Sequence, residues 1–197
     1  KTNANGGGVG TYKFNNTIFY YNYFNDTLYS IFSDFSYVPR YLLAQGDFRW
    51  PKKPLTYSSL EDLNSQLSQI FQFNRVFETN HFFVFDFFYR KAAIAFIEKK
   101  TNRIFLAYKN EKRPGSLSNT VPCIINDLDG GMPLERLEYY SEGDQEYITT
   151  LIHPVNLKLY VSGKEFKETK PKYPEKKKEL EKLANSLNEN DNPVLML

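Results

Sequence analysis

The sequence predicts a mainly β chain of short antiparallel meanders, with one helix between them and one near the C-terminus. Three observations carry that expectation. Aromatic residues make up 17% of the 197 residues, as 17 Phe and 15 Tyr beside a single Trp, and aromatic and β-branched side chains suit the half-buried, pleated surface of a sheet. Residues 75–108 hold four apolar runs separated by short, polar connectors, the pattern of successive hairpins. Residues 17–43 hold three more runs, punctuated by Asn, Asp and Ser, which favour turns.

Residues 1–10 begin polar and Gly-rich and read as a flexible arm or as an interior stretch of something longer. The first strand spans Thr17 to Tyr23, with a start as early as Tyr12, and Asn25-Asp26 is expected to turn the chain. In the second strand, Leu28 to Phe32, Leu28 and Ser30 face one side while Tyr29 and Ile31 face the other. The third, Tyr37 to Leu43, contains Pro39, which cannot donate to a ladder and so belongs at an edge. After a loop marked by Gly46, Pro51 and Pro54, Ser58-Ser59-Leu60-Glu61 matches a capping box with Ser58 as cap. Leu60, Leu63, Leu67 and Ile70 then give one apolar stripe, predicting a helix near residues 58–71.

The next strands are Arg75–Thr79, His81–Tyr89, Ala92–Glu98 and Ile104–Tyr108. Beyond a loop over 110–119 come Pro122–Ile125, Arg136–Tyr140 and Tyr147–Ile152 as further strands. Pro154–Ser162 fits a strand by its alternating Val155, Leu157, Leu159 and Val161, and equally a short helix opened by Pro154 and closed by Gly163. Pro174 suits the first turn of a helix near residues 174–188, with Leu180, Leu183, Ala184 and Leu187 as its apolar stripe. Val194 to Leu197 is a last short strand. A four-stranded meander in on the order of 40–50 residues is the content of one propeller blade. The expected organisation is therefore about three blades, roughly 11–45, 72–110 and 121–162, with the C-terminal helix and final strand after them.

A formal charge of +2 gives no global case for nucleic acid or an anionic surface. The lysines of 164–178 alternate with glutamates, as on a solvated face. No run of about 18 apolar residues is present, and the single cysteine, Cys123, excludes an intrachain disulfide. His81 and His153 are far apart without a cysteine beside either, which gives no zinc pattern. Neither a Gly-x-Ser-x-Gly elbow nor a P-loop occurs, and no cofactor is expected.

The weak candidates for a site are few. Asp47, Arg49 and Trp50 share a loop, and an exposed indole beside charged groups stacks on a sugar or peptide; the more ordinary reading folds Trp50 back over the sheet. Asp127 and Asp129, with Asn126 and Gly130, could hold a hard cation, but a calcium loop with Gly130 at its sixth position would put Ile125 first and Arg136 twelfth, where oxygen donors are needed. The ordinary reading is a tight turn capped by Asn and Asp. Asp86, inside the apolar run Phe82 to Tyr89, is the acid whose surroundings could raise its pKa; the more ordinary reading is an outward-facing residue of an alternating strand.

The stretch Phe24-Asn25-Asp26-Thr27-Leu28-Tyr29-Ser30-Ile31, followed by Pro39-Arg40-Tyr41, resembles a blade of the Bacteroidetes six-bladed β-propeller lipoproteins. Ile125-Asn126-Asp127-Leu128-Asp129-Gly130-Gly131 resembles that family's Asp-Gly-Gly turn, and Asn190 to Leu197 its ending. The resemblance implies the C-terminal half of such a ring and a periplasmic or outer-membrane protein attached only through a lipid anchor that this chain lacks. It also implies pairing with a missing N-terminal half or a second copy; the Asp47, Arg49 and Trp50 loop makes a glycan or peptide the expected ligand, and the compensated charge argues against nucleic acid. The function expected is a non-enzymatic binding or scaffold module, with a glycan-active hydrolase or lyase, or an interaction protein using open sheet edges, as alternatives.

Overall fold

The computed structural model describes residues 9–22, 25–43, 46–51, 54–108 and 122–196. The chain divides into two units, Lys1–Tyr108 and Lys109–Leu197. Both contain antiparallel sheet, and the chain is mainly β.

The first unit opens with β1 (Val9–Phe14), β2 (Thr17–Asn22), β3 (Asn25–Ile31) and β4 (Tyr37–Leu42), a four-stranded sheet in the order β1-β2-β3-β4. Three strands were expected here, and β1 is the addition. Its hairpin to β2 is the two-residue loop Asn15-Asn16, with Phe14 opposite Thr17 and φ values of 46° and 60°. Positive φ at both central residues is the type I′ geometry whose twist matches paired strands, and Asn tolerates it. The arm expected over 1–10 is corrected at its end, since Val9 and Gly10 are paired in β1. Gly10 serves close packing there: a Cβ would come within 2.2 Å of the Tyr21 ring. Residues 1–8 lie outside the described residues. The turn expected at Asn25-Asp26 is also corrected, because both residues start β3, and Asn22 pairs with Asn25. Pro39 does lie on the edge strand of this sheet.

After a 3-10 turn at Gly46–Phe48 comes α1 (Leu60–Ser68). Its cap is one residue later than expected. Ser59 Oγ accepts from the Asp62 amide at 3.1 Å, and the Asp62 carboxylate accepts from the Ser58 amide at 3.0 Å. A carboxylate at the third helical position can reach back across the N-terminus in this way, while Glu61 sits one position too early.

The second sheet consists of β5 (Gln72–Glu78), β6 (Phe82–Tyr89), β7 (Lys91–Glu98) and β8 (Ile104–Tyr108), again in simple order. Alternation divides β6: Phe83, Phe85 and Phe87 turn to one face, where they join the core. Phe19, Tyr21 and Leu28 of the first sheet meet Phe73, Val76, Phe83, Phe85 and Ala95 of the second. Ring centroids lie 5.5 Å apart for Tyr21 and Phe73 and 5.0 Å apart for Tyr41 and Phe83, and each ring of this kind contributes on the order of 2–3 kcal/mol by burial. The first strands of the two sheets, β1 and β5, lie beside one another, whereas Ile104, Phe105, Leu106 and Tyr108 of the last strand are exposed.

The second unit is not a third four-stranded meander, as expected over 121–162. The run at Pro122–Ile125 makes one isolated bridge, Ile124 to Leu134. Next come β9 (Glu138–Glu142) and β10 (Gln145–Ile152), followed by α2 (Pro154–Ser162), α3 (Lys164–Glu168), α4 (Pro174–Ser186) and β11 (Val194–Met196). Proline at the first helical position favours the helix for 154–162. It also buries Leu157 and Val161 on one side and leaves Leu159 exposed. The short β11 pairs antiparallel with β10, Leu195 opposite Leu151, giving a sheet in the order β11-β10-β9. Ile152, Leu157, Val161, Phe166, Leu180 and Ala184 form the core of this unit. The loop expected over 110–119 lies outside the described residues.

Candidate functional site

Of the residues that sequence alone singles out, Asp47, Arg49, Trp50 and Asp86 belong to the first unit and Asp127 and Asp129 to the second. Asp47 and Arg49 are exposed and Trp50 is half-buried, so the indole is not an open platform. The neighbouring Phe48 packs edge-on against Tyr89 at 5.2 Å, and its carbonyl accepts from the Phe71 amide at 2.8 Å, anchoring this loop to the second sheet.

Asp127 and Asp129 belong to a turn whose Asn126 and Asp129 side chains accept from its own amides, while Asp127 is exposed. Asn126 Oδ1 accepts from the Leu128 amide at 3.2 Å, and Asp129 Oδ1 accepts from the Gly131 amide at 2.7 Å. Gly130 has φ of 70°, a left-handed conformation that Gly adopts without strain. Its carbonyl accepts from the Tyr160 hydroxyl at 3.2 Å. The carbonyls of Asp127 and Leu128 accept from the amides of Lys172 and Tyr173, both at 2.8 Å. The turn thus docks the connector between α3 and α4. Among the described residues no group of three or more His, Cys, Asp or Glu could hold a metal ion.

Asp86 lies mid-strand in β6 opposite Arg75. Burial pushes its carboxyl up to about 6, and the Arg75 charge opposes the shift without cancelling it. A carboxyl raised in the folded state favours folding below its unfolded pKa, and that contribution is lost as pH rises to about 6. Asp86→Asn is therefore expected to stabilise the protein by roughly 1–2 kcal/mol at pH 8 and to change little at pH 4. Thermal melts of both proteins across this range check it.

Two arrangements were not singled out from sequence. The first is a buried polar cluster between the sheets. Glu78, at the end of β5, is 2% exposed. Its carboxylate accepts from the Tyr12 hydroxyl at 2.7 Å and pairs with Lys99 Nζ at 2.6 Å. Lys99 Nζ also lies 3.9 Å from the centre of the Phe14 ring. Burial, then the Glu78 charge, hold the Tyr12 hydroxyl far above the usual phenol range, and the same two causes raise Tyr41. A phenol held neutral donates a hydrogen bond and does not act as a base near neutral pH, so the cluster clamps the two sheets together. Its members are 66 and 21 residues apart in sequence, and no local pattern reveals them.

The second is an aromatic concavity of about 490 Å³ on the other face of the first sheet, lined by Tyr20, Asn25, Tyr29, Ile31, Phe35 and Tyr37. Tyr29 and Tyr37 meet edge-to-face at 5.5 Å. Asn25 Nδ2 donates to the Tyr29 hydroxyl at 3.0 Å, while its Oδ1 accepts from the Thr27 amide at 3.1 Å. Phe35 is 87% exposed at φ of 64°, a conformation uncommon for a bulky side chain. The hairpin fixes it there: Phe32 donates to Ser36 O at 2.9 Å, Phe35 donates to Phe32 O at 3.0 Å, and Asp34 Oδ1 accepts from the Ser36 amide and hydroxyl. The sequence does carry a signal for this face, because Ile18 and Tyr20 alternate with Phe19 and Tyr21, making both faces of β2 apolar.

Among curated proteins, none matches this sequence. A crystal structure of a protein described as exported, BF0058 of Bacteroides fragilis NCTC 9343, is similar in fold, with a TM-score of 0.52 and 20% sequence identity. The likeness covers 94% of this chain and 47% of that one, so this chain spans about half the length of the protein it resembles. The family model for a domain of unknown function, DUF4934, matches residues 4–197, and the chain belongs to that family.

Proposed function

We propose that this chain is a non-enzymatic binding or scaffold module, made of successive blades of a partial β-propeller within an exported protein of the bacterial cell envelope. One observation carries the reading: two four-stranded meanders of simple order pack face to face through aromatic residues, with their first strands side by side. Propeller blades share these features. The exported setting is lent by the fold likeness to BF0058, and the periplasmic or outer-membrane lipoprotein setting by the resemblance of Asn25 to Ile31 and Asn126 to Gly131 to the Bacteroidetes propellers. Asp47 and Arg49, both exposed, with the solvent-facing part of the half-buried Trp50, stay the proposed contacts for a glycan or peptide.

The carboxylates argue in the same direction. Asp129 is engaged by its own turn, and Glu78 is closed in by Tyr12 and Lys99. Glycoside hydrolysis needs two carboxyls facing one bond across about 5–10 Å. The test is a panel of envelope and dietary polysaccharides, followed both by calorimetry and by product release. Binding without turnover is expected. Multiple-turnover cleavage that Asp86→Asn or Asp129→Asn abolishes would overturn the reading in favour of a glycan-active enzyme.

A further inference from the structure

The geometry points to the aromatic concavity on the first sheet as a binding site for an uncharged saccharide, one whose pyranose rings carry equatorial hydroxyls. This inference rests on the binding-module reading above. It gives that module a contact surface that Asp47, Arg49 and Trp50 do not line.

The register builds the site. Tyr20 of β2 stands opposite Tyr29 of β3, and Ile31 of β3 stands opposite Tyr37 of β4. Residues directly opposite one another share a face of the sheet. Three phenol rings therefore form a row across three strands, with centroids 6.4 Å apart for Tyr20 and Tyr29 and 5.5 Å apart for Tyr29 and Tyr37. Two strand spacings make that row about 10 Å long, which is longer than one pyranose ring. Phe35 borders it, 87% exposed at φ of 64°. That conformation is uncommon for a bulky residue, and backbone strain of this kind gathers at positions that clamp ligands. The volume of about 490 Å³ suits a small ligand.

The lining chemistry selects the ligand. Aromatic rings, Ile31, the Asn25 amide and three phenol hydroxyls line the concavity, and no charged side chain does so among the described residues. Lys13, opposite Ile18, lies on the same face but outside the concavity, and the Asp34 carboxylate is taken by Ser36. A charged ligand would lose hydration there without gaining a counter-charge. An apolar ligand would bury the Tyr20, Tyr29 and Tyr37 hydroxyls unpaired. Each hydroxyl both donates and accepts; that of Tyr29 accepts from Asn25 Nδ2 at 3.0 Å and keeps its proton to give. A peptide that adds to a sheet needs a row of unpaired backbone groups, and β3 is bonded on both sides, to β2 and β4. A neutral sugar meets every demand. Its C–H face lies on an aromatic ring, and its hydroxyls pair with the phenols. Equatorial hydroxyls keep that face apolar, whereas an axial one turns a polar group onto the ring.

Calorimetry with cellotetraose, a neutral oligosaccharide whose ring hydroxyls are equatorial, and with its C6-carboxylated form tests this. Cellotetraose is expected to bind at least about tenfold more tightly than the acidic form. Phe35→Ala and Tyr37→Ala are each expected to weaken it at least about tenfold, and Tyr37→Phe, which keeps the ring and drops the hydroxyl, only a few-fold. Both side chains are exposed, so thermal melts of these variants are expected to match the unmodified chain, which separates lost binding from lost fold. Absence of cellotetraose binding overturns the inference, and so does equal binding of the acidic form. Binding that survives Phe35→Ala and Tyr37→Ala but is lost in Arg49→Ala also overturns it, placing the sugar on the other loop and leaving the binding-module reading intact. A dimer in sedimentation that Tyr37→Ala dissolves and cellotetraose does not would put a second copy on this face and overturn it as well. Chromatography of the bound sugar tests the reading beneath: cleavage contradicts a non-enzymatic module, while the Phe35 and Tyr37 variants alone judge the concavity.

Discussion

Glu78→Ala is expected to cost the first unit about 3–5 kcal/mol, the scale for removing one partner of a buried ion pair. The carboxylate is 2% exposed and holds both the Tyr12 hydroxyl and the Lys99 ammonium. Without it, a buried hydroxyl and a partly buried charge lose their acceptor. Urea unfolding followed by tyrosine fluorescence measures the loss. The combined replacement Tyr12→Phe, Glu78→Leu and Lys99→Met is expected to cost less than Glu78→Ala alone, because it removes all three polar groups together. A single substitution costing under about 1 kcal/mol, within the range of an exposed pair, would show that the cluster does not clamp the sheets.

Phe73→Ala is expected to cost a similar 3–5 kcal/mol, through lost burial and the cavity left behind. Phe73 is 1% exposed and lies between Tyr21 of the first sheet and Phe71 of its own segment, with ring centroids at 5.5 and 6.3 Å. The effect should appear as a lower urea midpoint for the whole first unit, since the residue joins both sheets. Phe35→Ala is the contrast. Its ring is exposed in the isolated chain, so the change there is expected to stay within about 0.5 kcal/mol. Size and chemistry match in the two substitutions, and only burial differs.

The fold was legible where period and punctuation agreed. Residues 72–108 hold four apolar runs broken by Asn80, Arg90 and Asn102, and the four strands fall within a few residues of expectation. Pro39 on an edge and Pro174 opening α4 follow from the missing amide of proline. Legibility failed where a residue type serves two purposes. Gly10 looked like flexible arm, but it is small because Tyr21 lies over it. Asn15-Asn16 makes the tight turn, while Asn25-Asp26, of the same turn-favouring types, lies inside β3 by its register. Alternating apolar residues over 154–162 fitted strand and helix equally, and the choice was made by packing of Leu157 and Val161 in the core of the second unit.

The site was less legible, and for a physical reason. Sequence patterns find local chemistry, so they found the Asn126–Gly131 turn and the acid in β6. The raised carboxyl of Asp86 follows directly from a charge placed in an apolar run. Glu78, Tyr12 and Lys99 come together only because β5 stacks beside β1, a relation no window of sequence contains. The aromatic concavity was visible only as apolar residues at both parities of β2, and was read simply as a bias toward strands.

We propose that β1–β4 and β5–β8 fan outward from their adjacent first strands, as blades do, instead of lying as the two aligned layers of a sandwich. Electron–electron distance measurements on paired spin labels test it most directly. One pair goes on the exposed positions Lys13 and Asn74 of the first strands, the other on Val38 and Leu106 of the last strands. The account predicts a clearly shorter distance for the first pair than for the second. Equal distances, as between parallel layers about 10 Å apart, would contradict it.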